Sequence, residues 1–203
     1  MVAIIDCGLG NLGSIANMLD VIGVRSTITD SEKDIDSADH IILPGVGAFD
    51  TGMNNLQAKG LDELLKKQAT DGKPILGICL GMQLLGRGSE EGSIHGLGLI
   101  PFDNIKFTFE KNSNLKVPHM GWDVVEFKKN VPLLKEIEGH QRYYFVHSYH
   151  AVCDSDENIM MTCEYGYNFA AAVCKDNIYG VQFHPEKSHS FGMRLFDNFV
   201  NRC

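Results

Sequence analysis

What most constrains the fold is an alternation in the first half of the chain, where short runs of strand length, most of them apolar, keep giving way to segments with helical spacing. Val2 to Ile5 is a continuous apolar run, and Ile15, Met18, Leu19 and Ile22 then fall at i, i+3, i+4 and i+7, one face of a helix that ends at Gly23. Strand-length runs recur at 25–29, 40–43 and 74–78, and Leu61, Leu64 and Leu65 mark a helix between the last two. A strand with no polar face is covered on both sides, and helices between such strands give parallel βαβ units with right-handed crossovers. The later half changes character. Segments 105–109, 123–127, 142–149 and 158–163, and the pair 170–175 and 178–183 around an Asp176-Asn177 turn, read as antiparallel strands and hairpins. A final amphipathic helix carries Leu195, Phe196, Phe199 and Val200. The expected fold is α/β, a mostly parallel sheet flanked by helices with an antiparallel extension. With no repeat, low-complexity run or Pro/Ser-rich linker in 203 residues, a single domain over 1–203 is expected.

Charge and cysteine usage exclude several function classes. Acidic residues outnumber basic ones by 26 to 18, a net charge of -8, so no basic excess exists to neutralise a phosphate backbone and nucleic acid is not an expected partner. The opening lacks a basic leader, and Asp6 interrupts it well before the ~7–15 residues of a signal-peptide core. No stretch approaches the ~20 apolar residues of a membrane span, so a cytosolic protein is expected. Six cysteines, without a C-x-x-C pair, argue against a zinc site or disulfide framework; no metal and no cofactor are expected. Cys7, Cys153, Cys163, Cys174 and Cys203 read as structural thiols.

Cys79 differs. It follows the buried run 74–78, precedes a helix-compatible stretch and is bracketed as G-x-C-x-G by Gly77 and Gly81. A sharp strand-to-helix turn brings the backbone close to itself, where a Cβ would clash. Such an elbow lifts its side chain above the sheet and aims it at a helix N-terminus, whose partial positive charge favours thiolate over thiol. Near the other end, Gly180-Val-Gln-Phe-His-Pro-Glu186 reads as a strand in which Gln182, His184 and Glu186 share a face, since strand side chains alternate and Pro185 keeps its predecessor extended. A carboxylate that orients an imidazole, joined to a cysteine elbow, completes nucleophile, base and orienting acid.

The motifs G-I-C-L-G-M-Q at 77–83 and Q-F-H-P-E at 182–186 resemble those of the triad (class I) glutamine amidotransferases. I-D-C-G-L-G-N-L-G-S at 5–14, P-G-V-G at 44–47, P-H-M-G-W at 118–122, Y-F-V-H-S-Y at 144–149 and H-P-E-K-S at 184–188 are similar to the branch of glutaminase subunits of imidazole glycerol phosphate synthases. The resemblance runs the length of the chain and implies a flavodoxin-like sheet. It implies Cys79 as nucleophile, His184 as general acid and base, and Glu186 as the residue orienting His184. It further implies an oxyanion site from Gly45, Val46 and Gly47 with the Leu80 backbone, Gln83 and Glu91 on the α-carboxylate and α-amino ends of glutamine, and the Ser148 and Tyr149 backbone along the pocket. Glu90, next to Glu91, is the alternative for that last carboxylate. Asn11, Trp122, Tyr144 and Lys187 match positions facing a (β/α)₈-barrel synthase, the partner in a heterodimer that receives the ammonia; a core role is the rival reading for Trp122.

Two alternatives remain open on the sequence. Stretches 84–92 and 184–193 look similar to a paralogous branch that supplies ammonia to synthases amidinating surface-polysaccharide sugars. From another class, Gly8, Gly10 and Gly13 form a literal G-x-G-x-x-G after a strand, with Asp30 ending the second apolar run, as in dinucleotide-binding folds. That reading leaves the cysteine elbow and the His-x-Glu pair unexplained.

Overall fold

The computed structural model describes residues 1–110 and 112–203. The first half runs β1 Val2–Ile5, α1 Leu12–Val21, β2 Ser26–Thr29, α2 Glu32–Ser37, β3 His40–Gly45, α3 Phe49–Ala58, α4 Leu61–Thr70, β4 Ile75–Cys79 and α5 Leu80–Leu84. Then come β5 Gly88–Ser89, β6 Phe102–Lys106, β7 His119–Phe127, β8 Gln141–His147, β9 Tyr149–Cys153, β10 Ile159–Glu164, β11 Asn168–Lys175, β12 Ile178–Val181 and α6 His189–Arg202, with a 3-10 turn at Pro185–Lys187 between the last two. All strands join one sheet in the order β2-β1-β3-β4-β12-β11-β10-β7-β8, with β9, β6 and β5 branching from β11. Pairing is parallel from β2 across to β12 and antiparallel from β11 onward, except for the short parallel pair β5–β6 at the end of the branch.

Alternation along the buried strands sorts side chains onto two faces. Val2 and Ile4 of β1 join α1 and the α6 residues Leu195, Phe196 and Phe199 on one side, whereas Ala3 and Ile5 join Phe49, Met53, Leu56 and Leu65 of α3 and α4 on the other. Helix α3 has its buried residues at 49, 52, 53 and 56, the same spacing that marked α1, although it was not among the expected helices.

Three departures from the expected strands all bear on the site. Segment 142–149 is not one strand: it breaks at Ser148, β8 pairing with β7 while β9 turns to pair with β6 and β11. Segment 105–109 is displaced to Phe102–Lys106, because Phe107 leaves the ladder to pack among His147, His150 and Phe169. The last strand stops at Val181, so the chain is no longer in a strand where it reaches His184.

Candidate active site

The elbow is built where β4 meets α5. Cys79 has φ 54° and ψ -111°, a left-handed backbone that a residue with a Cβ rarely adopts and that stores roughly 1–3 kcal/mol of strain. The turn is tight enough to require glycine on both sides. A Cβ on Gly81 would overlap the Leu43 carbonyl oxygen, and one on Gly77 would sit 2.8 Å from the Gly81 carbonyl. Gly45, the last residue of β3, lies opposite Cys79 in the sheet register and packs against Leu80. The loop after β3 is therefore held beside the elbow, and Val46 and Gly47 project from it into the pocket.

His184 and Glu186 come together by a different route from strand alternation. Pro185 opens the 3-10 turn, with His184 as its cap, and the turn folds the carboxylate back so that Glu186 Oε1 lies 2.8 Å from His184 Nδ1. Proline at a first helical position followed by an acidic residue is a helix-start signature, and it is the signal in the sequence that would have indicated a turn here. The segment is clamped to β8: the His184 N–H donates to the Tyr144 carbonyl at 2.9 Å, the Tyr144 N–H donates to Ser188 Oγ at 3.1 Å, and that hydroxyl donates to the His184 carbonyl at 2.7 Å.

Both side chains of the pair are nearly sealed, 2% and 3% exposed. Burial alone disfavours the imidazolium, but interactions with Cys79 and Glu186 outweigh it and push the His184 imidazole up to about 9. Of the effects that raise the ring, hydrogen bonding with Cys79 comes first and with Glu186 second, although no bond of full geometry reaches His184 Nε2.

Cys79 and His184 line one pocket of about 320 Å³, with Val46, Gly47, Leu80, Gln83, Glu91, Pro118, Val146, His147, Ser148 and Tyr149. Of the two adjacent acids only Glu91 faces it, its Oε2 accepting the Phe49 N–H at the start of α3 at 2.9 Å, while Glu90 accepts the Lys106 N–H at 2.7 Å on β6. Gln83 donates to the Tyr149 carbonyl at 3.2 Å and to Gln182 Oε1 at 3.0 Å; Gln182 in turn donates to Cys79 Sγ at 3.8 Å. His147, Pro118 and Val146 were not singled out in the sequence; the alternation of buried residues Gln141, Tyr143, Phe145 and His147 along β8 would have placed that histidine inward.

The expected partner-facing residues form a second group. Trp122, 39% exposed, stacks on His189 at 5.5 Å and meets the Tyr144 ring edge-on at 6.3 Å; the Arg142 guanidinium lies over Trp122, and the Lys187 ammonium over Tyr144, each at 5.7 Å. The core role for Trp122 is thereby excluded. Asn11 caps α1 by accepting the Ser14 N–H, and α1 packs on the Pro185–Lys187 turn. At the glycine-rich opening, Gly8 and Gly10 have φ 76° and 117°, and Asp30 pairs with Lys59.

The glutamine amidotransferase class-I profile matches residues 3–203. The chain belongs to that family. It is 51% identical to imidazole glycerol phosphate synthase subunit HisH 2 of Methanococcus maripaludis, covering 100% of both chains. It is 49% identical to subunit HisH 2 of Pseudomonas aeruginosa, covering 98% of each. Among solved structures, a chain of PurLQS from Thermotoga maritima superposes with TM-score 0.76 at 20% identity, over 98% of this chain and 97% of that one, a likeness of fold. This membership displaces the dinucleotide-binding alternative. Among the described residues no group of three or more His, Cys, Asp or Glu is arranged to hold a metal ion, and no helix is long and apolar enough to cross a membrane.

Proposed function

We propose that this chain is the glutaminase subunit of a cytoplasmic imidazole glycerol phosphate synthase. In that reading it is a single glutamine amidotransferase domain that hydrolyses L-glutamine and passes ammonia to a (β/α)₈-barrel cyclase in histidine biosynthesis. The observation that carries the reading is the meeting in one pocket of a strained cysteine elbow and a buried, carboxylate-oriented imidazole. Full-length likeness to subunits of that synthase supports it.

The chemistry follows from the placement. Cys79 Sγ attacks the side-chain amide carbon of glutamine, forming an S–C bond; the C–N bond breaks as His184 Nε2 gives its proton to the departing ammonia, leaving a glutamyl thioester. Water then attacks the same carbon, His184 takes its proton, and the C–S bond breaks to release glutamate. Negative charge on the amide oxygen is met by backbone N–H groups of Leu80 and of Val46 or Gly47, each donor contributing about 3 kcal/mol in the transition state. Gln83 was expected to hold the α-carboxylate, but it spends both amide hydrogens on protein acceptors; its free oxygen, together with Glu91, suits the α-ammonium end of glutamine instead.

The test is ammonia release from glutamine by the complex with the cyclase. Cys79→Ala is expected to abolish it while the complex still assembles; retained turnover would remove the assignment. A second reading is favoured by one observation: stretches 84–92 and 184–193 resemble a paralogous branch that serves other synthases. A paralogue feeding a sugar-amidinating synthase would perform the same glutaminase chemistry. It would be activated by that synthase and not by the cyclase, and pairing the chain with each separates the two.

A further inference from the structure

In the pocket wall, at His147, and behind it lies a cluster of buried histidines that the proposed reaction does not use. His119 and His147 are 1% and 5% exposed, caged by Phe107, Phe145, Tyr165 and Phe169. They form a line: Asp123 Oδ2 lies 2.6 Å from His119 Nε2, His119 Nδ1 lies 3.0 Å from His147 Nε2, and His147 Nδ1 lies 2.8 Å from the Tyr149 carbonyl oxygen. That carbonyl sits on the pocket wall and also accepts from Gln83, which leads through Gln182 to the Cys79 sulfur. At its other end the line opens to solvent at Asp123, 41% exposed, on the strand that presents Trp122.

Counting donors fixes where the protons are. A carbonyl oxygen only accepts, so His147 Nδ1 must carry a hydrogen. Burial holds the His147 imidazole down to about 3, so it is neutral and its Nε2 is an acceptor. His119 Nδ1 must then donate. If His119 carried only that hydrogen, its Nε2 would face Asp123 at 2.6 Å as a second acceptor, and an ionised carboxylate has nothing to donate. One additional proton therefore lies between Asp123 and His119, held on the ring by its contact with Asp123 against the burial that lowers the His119 imidazole. Remove it and every polarity in the line reverses: His119 donates to Asp123, His147 donates to His119, and His147 Nδ1 turns a lone pair toward the Tyr149 carbonyl. The contact on the pocket wall is then lost.

We propose that His119 and His147 are positioning residues of the glutamine site: a single proton held between Asp123 and His119 forces His147 into the tautomer that anchors the Tyr149 carbonyl. The inference rests on glutamine occupying this pocket, and it gives the exposed end of the line, on strand β7, a physical connection to the substrate wall. An anchored wall carbonyl holds substrate and transition state alike, so its loss belongs in KM rather than kcat.

Two measurements test it. In the full chain labelled with ¹⁵N-histidine, long-range proton–nitrogen correlations are expected to show His147 neutral with its hydrogen on Nδ1. A hydrogen on Nε2 overturns the proposal whether or not the protein hydrolyses glutamine. In the complex with the synthase subunit, His147→Phe keeps a ring within an aromatic cage but removes the donor; KM for glutamine is expected to rise about tenfold, the worth of one net hydrogen bond, with kcat within about twofold. A merely structural role would instead lower kcat through loss of active protein and leave KM unchanged, and that result overturns the proposal. If His147→Phe does not fold, the tautomer measurement decides alone. Glutamine turnover by the unsubstituted complex is the reference, and its absence counts against the glutaminase reading, not against the histidine line.

Discussion

At the scale of single residues, His184 is the group on which opposing effects balance most finely. Burial lowers its proton affinity, Cys79 and Glu186 raise it, and the raising effects win by enough to reach about 9. The folded value thus lies above the ~6.5 of an unfolded histidine, so the stabilisation is complete below that unfolded value and is lost as pH climbs through about 9. Glu186→Gln keeps the volume and removes the charge. Calorimetry across pH 7 to 9 is expected to show a shallower fall in melting temperature for that variant than for the unsubstituted chain; equal slopes would mean that Glu186 does not set the His184 charge. The same substitution should lower kcat roughly a hundredfold, because the ring loses its fixed tautomer and orientation. Residue identity was legible for the cysteine, histidine and acid because each sits in a short motif with its own local geometry. The choice between Glu90 and Glu91 was not. Neighbouring residues of a turn diverge according to which backbone N–H each finds, and the Phe49 and Lys106 donors belong to elements distant in sequence.

The elements show why an elbow tolerates its cost. Cys79 holds a left-handed backbone only because Gly45, Gly77 and Gly81 let β3, β4 and α5 approach at distances no Cβ permits. Cys79→Ala and Cys79→Gly both delete the thiol, but only glycine also relieves the backbone. The glycine variant should be the more stable of the two by about 1 kcal/mol in urea unfolding, the relieved strain less the extra freedom of glycine in the unfolded chain. Equal midpoints would place no strain at the elbow. Apolar runs and glycine spacing made this element readable before any coordinates, since a buried strand and a close turn are each enforced within a few residues. The His184 turn was read as a strand because alternation alone already accounts for His184 and Glu186 lying on one side. What separates strand from turn is the pairing available beyond Val181, where after Gln182 the chain leaves the β11 ladder and His184 binds Tyr144 of β8 and Ser188 instead. The break at Ser148 was likewise invisible, because β8 and β9 are both rich in aromatic and β-branched residues and only their different sheet partners divide them.

On the scale of the whole molecule, the face around Trp122 stands apart from an acidic chain of net charge -8. Met120, Trp122 and Val124 alternate outward from β7 at 61%, 39% and 50% exposure, and the nearby charges on the aromatic rings are cations, Arg142 and Lys187. Exposed aromatic and apolar side chains with cations stacked on them are the composition of an interface centre, where a few large anchors carry most of the binding free energy. The same surface adjoins the catalytic pair through the chain itself, since Lys187 follows Glu186 directly and Tyr144 holds both ends of the His184 segment. A partner seated on Trp122 would therefore press on the element that carries the imidazole, which gives a physical route for glutaminase activity to depend on assembly. Trp122→Ala is expected to raise the Kd for the synthase subunit roughly thirtyfold, the effect of losing about 2 kcal/mol at an aromatic anchor. Lys187→Glu should act differently, slowing association and changing its response to salt, because it reverses a charge at the rim instead of emptying a contact. Titration calorimetry and stopped-flow association measure the two separately. A Kd that ignores Trp122 would move the docking face elsewhere on the sheet, and with it the link between assembly and the His184 turn.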